Sequence, residues 1–95
     1  MSSISQQAVS PTPISAATTT LIYTGSGVTL GFFVVSGTSP TITIYDGITA
    51  TGTPILATFT PASNGWYSFP AAFSKGLLVV TGGTTPNVTV VWALN

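Results

Sequence analysis

The stretch Gly31-Phe32-Phe33-Val34-Val35-Ser36-Gly37-Thr38-Ser39-Pro40-Thr41-Ile42-Thr43-Ile44 returns as Gly76-Leu77-Leu78-Val79-Val80-Thr81-Gly82-Gly83-Thr84-Thr85-Pro86-Asn87-Val88-Thr89-Val90, with one extra residue in its middle. Each copy reads as a strand, a Gly-Thr-(Ser/Thr)-Pro connection and a second strand. β-Branched and aromatic residues fill the runs, and turn formers separate them. Alternation sets Ile42 and Ile44, or Val88 and Val90, on a buried face and Thr43 or Thr89 on the opposite one. The expectation is one hairpin used twice, the two copies facing each other as a small sandwich.

The rest of the chain keeps to this vocabulary. Strands are expected near 19–24, 28–36, 41–46, 54–60, 66–69, 76–81 and 87–93, about seven in all. The breaks fall at Gly25-Ser26-Gly27, Ser36 to Pro40, Asp46-Gly47, Asn64-Gly65 and Gly82 to Pro86. Asn64-Gly65 is the best candidate for a tight type I′ hairpin. No amphipathic 3.6-residue pattern survives, so helix is not expected. The fold class is therefore all-β, a small antiparallel sandwich of jelly-roll or Ig-like kind over 19–95. Residues 1–18 hold Pro11, Pro13 and scattered apolar residues without a sustained period. They read as an extended N-terminal arm, either a loose terminus or a segment that lies along a neighbouring subunit through Ile4, Val9 and Ile14.

Asp46 and Lys75 are the only charged side chains among 95 residues, and there is no His and no Cys. Acid–base catalysis needs groups that titrate near the working pH, nucleophiles need an activating base, and metals need clustered N, S or carboxylate ligands. One carboxylate and one amine supply none of these, so the expectation is no enzyme, no cofactor and no metal. Phosphate contacts need Lys and Arg in number, which argues against nucleic acid. The apolar runs are far shorter than a membrane span, and Met1 to Val9 does not read as a secretion signal. A surface so poor in charge invites self-association unless it is covered, which points to a protein partner and a permanent assembly.

The repeat sharpens that reading. Its first strand is apolar on both faces: Phe32 and Val34 oppose Phe33 and Val35, and Leu77 and Val79 oppose Leu78 and Val80. One face fills the sandwich. The other is covered by a loop or buried against another subunit, and the second option is favoured for Phe33, Val35, Leu78 and Val80. Asp46, before Gly47, reads as a turn residue rather than a calcium ligand, since calcium takes six to eight oxygens. Tyr23, Tyr45, Trp66, Tyr67, Phe69, Phe73 and Trp92 fill the core and an interface by default, with a sugar-stacking platform as the alternative. Asn87-Val88-Thr89 matches a glycosylation sequon, which without a secretion signal is read as chance.

Thr43-Ile44-Tyr45-Asp46-Gly47, Ala50-Thr51-Gly52-Thr53-Pro54-Ile55-Leu56-Ala57, Phe73-Ser74-Lys75-Gly76-Leu77 and the closing Gly82 to Val90 resemble small β-sandwich virion proteins of tailed bacteriophages. The resemblance covers about 28 to 93 and rests on strand and turn residues. It implies a structural protein at the capsid surface, a decoration or cement protein that bridges and stabilises major-capsid subunits, with the major capsid protein or copies of itself as partners and a homo-oligomeric state on the particle. A glycan-binding or adaptor module of a tail or fibre is the alternative.

Overall fold

The computed structural model describes residues 9–94. It contains six β-strands: β1 (Val9–Ile14), β2 (Thr19–Thr24), β3 (Gly27–Asp46), β4 (Leu56–Phe59), β5 (Gly65–Phe73) and β6 (Gly76–Ala93). All pairings are antiparallel, and the described residues contain no helix. The all-β reading therefore holds.

The repeat, however, is not a hairpin used twice. Each copy is one continuous strand, and β3 and β6 pair with each other along their whole length, from Val28↔Ala93 to Asp46↔Leu77. The expected runs 28–36 and 41–46 merge into β3, and 76–81 and 87–93 merge into β6. A straight strand of β3's length would span roughly 60 Å at about 3.3 Å per residue, whereas the longest dimension of the molecule is 45 Å. Both long strands bend in the middle instead of reversing.

The bend is where the two copies meet. Ser39 (φ 48°) and Thr85 (φ 46°), each just before the proline of its copy, adopt left-handed backbone, a costly conformation for non-glycine residues. The register slips through Ser36, Thr38 and Thr41 while Thr38 stays opposite Thr84. A Cβ on Gly37 would lie 3.2 Å from Pro86 Cα, and one on Gly83 would lie 3.0 Å from Pro40 Cα. Each copy's glycine thus makes room for the other copy's proline. Pro40 and Pro86 are both buried there, so the shared Gly and Pro of the motif form a reciprocal corner.

Beyond the corner the ladder divides into two four-stranded layers. The first runs β5, the first half of β3, the second half of β6, then β1. The second runs β4, the second half of β3, the first half of β6, then β2. Phe32, Val34, Val88, Val90, Ile14 and Phe73 of the first layer form one core with Ile42, Ile44, Leu77 and Val79 of the second. Aromatic rings tie the layers on both sides. On one side, Phe32 stacks on Tyr67 at 5.6 Å and meets Phe59 edge-on at 6.2 Å. On the other, Tyr23 packs 5.2 Å from Trp92 and 6.5 Å from Phe73.

Two further expectations change. Residues 9–14, taken as arm, are a sandwich strand paired with β6 from Val9↔Ala93 to Ile14↔Val88. Pro11 and Pro13 suit an extended segment, and an edge strand is one form of it. Asn64-Gly65 is not a type I′ hairpin. That turn needs φ above zero at both residues, and of the two only Gly65 has it. The strands it separates, β4 and β5, pair with opposite halves of β3 rather than with each other.

Candidate docking face

The strand parity that fills the core also decides what each layer shows to solvent. In β5 the residues alternate strictly, with Tyr67, Phe69, Ala71 and Phe73 inward and Trp66, Ser68, Pro70 and Ala72 exposed. On the neighbouring strand, Phe32 and Val34 are buried while Phe33 and Val35 are each 47% exposed. Trp66 lies directly opposite Phe33 and is 48% exposed. Its indole leans across Gly31, where an added Cβ would meet the ring at 2.7 Å. Gly31 thereby gives Trp66 a flat bed, and Phe33 beside it stays 47% exposed.

Across the centre of this layer Thr89 faces Phe33, and Val91 faces Gly31. Pro13 and Pro11 follow opposite them on β1, and Val9, 53% exposed, closes the row beside Ala93. The outer face of the first layer is therefore Trp66, Phe33, Val35, Val91, Val9 and prolines, with Ser68 and Thr89 as its hydroxyls and no charged residue. Exposed apolar residues scattered singly are normal on a protein surface, but a contiguous uncharged sheet face marks a contact.

The second layer differs. Leu78, the counterpart of Phe33 in the repeat, is only 2% exposed. Its register places Tyr45 on one side and Leu21 on the other, and a leucine standing between two larger or equal side chains is enclosed by them. Val80 is half-buried between Thr43 and Thr19, and the Thr43 and Thr58 hydroxyls share a hydrogen bond at 2.8 Å. This outer face is partly hydroxylated, and of its apolar residues Leu21 is 45% exposed while Leu78 is sealed beneath its neighbours.

The residues expected to bind a partner thus separate. Phe33, Val35 and Val9 share the open face, Val9 at its far corner on β1. Leu78 is buried within the protomer, and Ile14, at 5% exposure, belongs to the core, so neither is available to a partner. Ile4 lies outside the described residues. Trp66, which the sequence groups with the aromatics of core and interface, is the anchor that parity alone does not single out among them. The signal that finds it is its pairing with Phe33 over a glycine, a long-range fact. The other aromatics do not assemble into a sugar platform: Tyr23, Phe73 and Trp92 pack inside, with the Trp92 indole N–H donating to the Thr12 hydroxyl at 3.0 Å.

The two charged side chains sit at one end of the second layer. Asp46 accepts hydrogen bonds from the backbone N–H groups of Ser74 (3.0 Å), Lys75 (2.8 Å) and Gly76 (3.4 Å) and from the Ser74 hydroxyl. Partial burial pushes its pKa up, but the donors at Lys75, Ser74 and Gly76 outweigh this and hold it below the ordinary carboxylate value. The carboxylate is used up in clamping the β5–β6 turn. An open cleft of about 560 Å³ adjoins it, lined by Thr24, Asp46, Gly47, Ile48, Thr49, Thr51 and Lys75. The described residues contain no group of three or more His, Cys, Asp or Glu able to hold a metal, and no helix long and apolar enough to cross a membrane. No family model, curated protein or solved structure matches this chain.

Proposed function

We propose that this chain is a non-enzymatic structural protein of a virion, a decoration or cement-type subunit that binds an assembled capsid shell and bridges neighbouring major-capsid subunits. The observation that carries the reading is the uncharged outer face of the first layer, where Phe33, Val35 and Trp66 stand half-exposed side by side. Such a surface costs solubility in a free monomer and is tolerable in a subunit that spends its life covered. The single carboxylate is engaged by backbone donors, which supports a role made of contact rather than chemistry. The inward placement of Tyr23, Phe73 and Trp92 favours contact over sugar stacking.

The mechanism is mass action. A protein that binds only the closed shell raises the free energy needed to open it, by about 2.7 kcal/mol per site at a free concentration a hundredfold above Kd. The test is to purify particles from the source of the chain and quantify it against the major shell protein. Many copies per particle are expected, with shells that open at lower temperature once it is stripped and regain their resistance on its return. Its absence from purified particles overturns the proposal.

A further inference from the structure

We infer that the occupant of the first layer's outer face is a second copy of this chain, related by a two-fold axis lying in the interface and running along the strands between β3 and β6. The inference rests on reading the chain as an assembly subunit: the open face is covered by a second copy, and the dimer so formed meets the shell with its remaining surface.

Three observations converge on it. The first is electrostatic. The face offers no charge to a charged partner, and the chain that best matches a wholly uncharged surface is another bearing only Asp46 and Lys75, both at the end of the other layer. The second is relief. The β5–β3 half of the face carries the bulky Trp66, Phe33 and Val35, whereas the β6–β1 half carries the shorter Thr89, Val91, Pro11 and Pro13. A two-fold axis along the strands sets the bulky half of each copy on the short half of the other, the self-complementarity an isologous dimer requires. Four strands about 4.8 Å apart, from the six residues of β1 to the nine of β5, make a plane of roughly 500 Å², the scale of a small dimer interface rather than of the ~800 Å² each partner gives a standard one.

The third observation removes the competing mode, edge-to-edge strand addition. Pro11 and Pro13 take N–H donors from the free edge of β1, Pro70 interrupts β5, β4 is four residues long, and β2 carries an irregularity between Leu21 and Tyr23. Prolines, bulges and short strands are the devices that blunt sheet edges. With the edges blunted, the face is left.

Sedimentation velocity over the micromolar range tests the dimer. The expected species has twice the 9.6 kDa protomer mass. Trp66→Asp, beside Phe33 in the bulky half of the face, should weaken association at least ~100-fold, the scale of an interface hot spot, with an unchanged far-UV circular dichroism spectrum. Phe33→Asp provides the same test should Trp66→Asp misfold. Leu21→Asp, on the outer face of the second layer, should leave the dimer intact. A wild-type chain that is monomeric throughout, a folded Trp66→Asp dimer of undiminished affinity, or dissociation by Leu21→Asp overturns the inference. The outcome is separable from the virion reading: a monomer found in many copies on particles removes the dimer alone, and a dimer absent from particles removes the virion role alone.

Discussion

Phe33 and Leu78 hold the same place in the two halves of the repeat, two residues past its opening glycine, yet one is half-exposed and the other is sealed. Both point away from the core, so parity does not separate them. Their neighbours do. Leu78 stands between Tyr45 and Leu21, while the large residue opposite Phe33 has its ring laid over Gly31. An internal repeat can thus supply the same backbone twice and give it two surfaces, one finished within the protomer and one left for a partner. The same divergence recurs at Ser36 and Thr81. Ser36 is exposed, whereas the buried Thr81 donates its hydroxyl to the carbonyls of Ala16 (2.7 Å) and Thr18 (3.2 Å), fixing the β1–β2 crossing between layers.

Substitutions at equivalent positions should therefore give unequal results. The largest contrast is Leu78→Asp against Phe33→Asp. The former places an uncompensated charge in an enclosed site and should cost about 3–5 kcal/mol or abolish folding. The latter should change the stability of dilute protein by less than about 1 kcal/mol. Urea denaturation of both variants measures the difference, and equal losses would erase the distinction between the two faces. Next, Thr81→Val should cost about 2 kcal/mol by removing the donor to the Ala16 carbonyl and the acceptor of the Thr18 N–H, while Ser36→Val should be near neutral. Thermal melts compare the pair directly.

Asp46→Asn should cost about 1 kcal/mol, a modest figure because the clamp is partly solvated. Its pH dependence carries the sign. A carboxyl held below its ordinary pKa contributes stability that is fully present above that ordinary value, near 3.9, and is lost as pH falls through the folded value. Wild-type stability should decline below about pH 4, and Asp46→Asn should decline less there. The smallest effect tests a likeness between the two halves. Ser39→Gly and Thr85→Gly each relieve left-handed backbone and should each raise stability by up to about 1 kcal/mol, less the entropy glycine adds to the unfolded chain. Opposite signs in chemical denaturation would show that the corner is not shared equally.

Much of the fold was legible because strand formation here is written locally. The β-branched runs, the alternation of Ile42 and Ile44 with Thr43, and the absence of helical periodicity needed no partner to interpret. The corner was not legible. Gly-Thr-Ser-Pro is turn vocabulary whether the chain reverses or bends, and the choice is made by Pro86 against Gly37 and Pro40 against Gly83, contacts far apart in sequence. Pro11 and Pro13 were read as extension, and only pairing with β6 turned extension into a strand. At the candidate site Phe33, Val35 and Val9 could be found from apolar alternation. Leu78 is misplaced, and Trp66 is not singled out among the core and interface aromatics, because cover is a property of neighbouring strands, not of the strand itself.

The placement of β6 has a consequence for how the molecule is made. It is central in both layers, pairing with β1, β2 and β3, and it is the last of the six strands to leave a ribosome. Until it emerges, β1 and β2 lack the strand partner they have among the described residues, and β3 can pair only with β4 and β5. Folding of such non-local pairings is slow and all-or-none, and it exposes the apolar runs in the interval. The emergence of β6, rather than of any strand before it, is the step at which both layers can close.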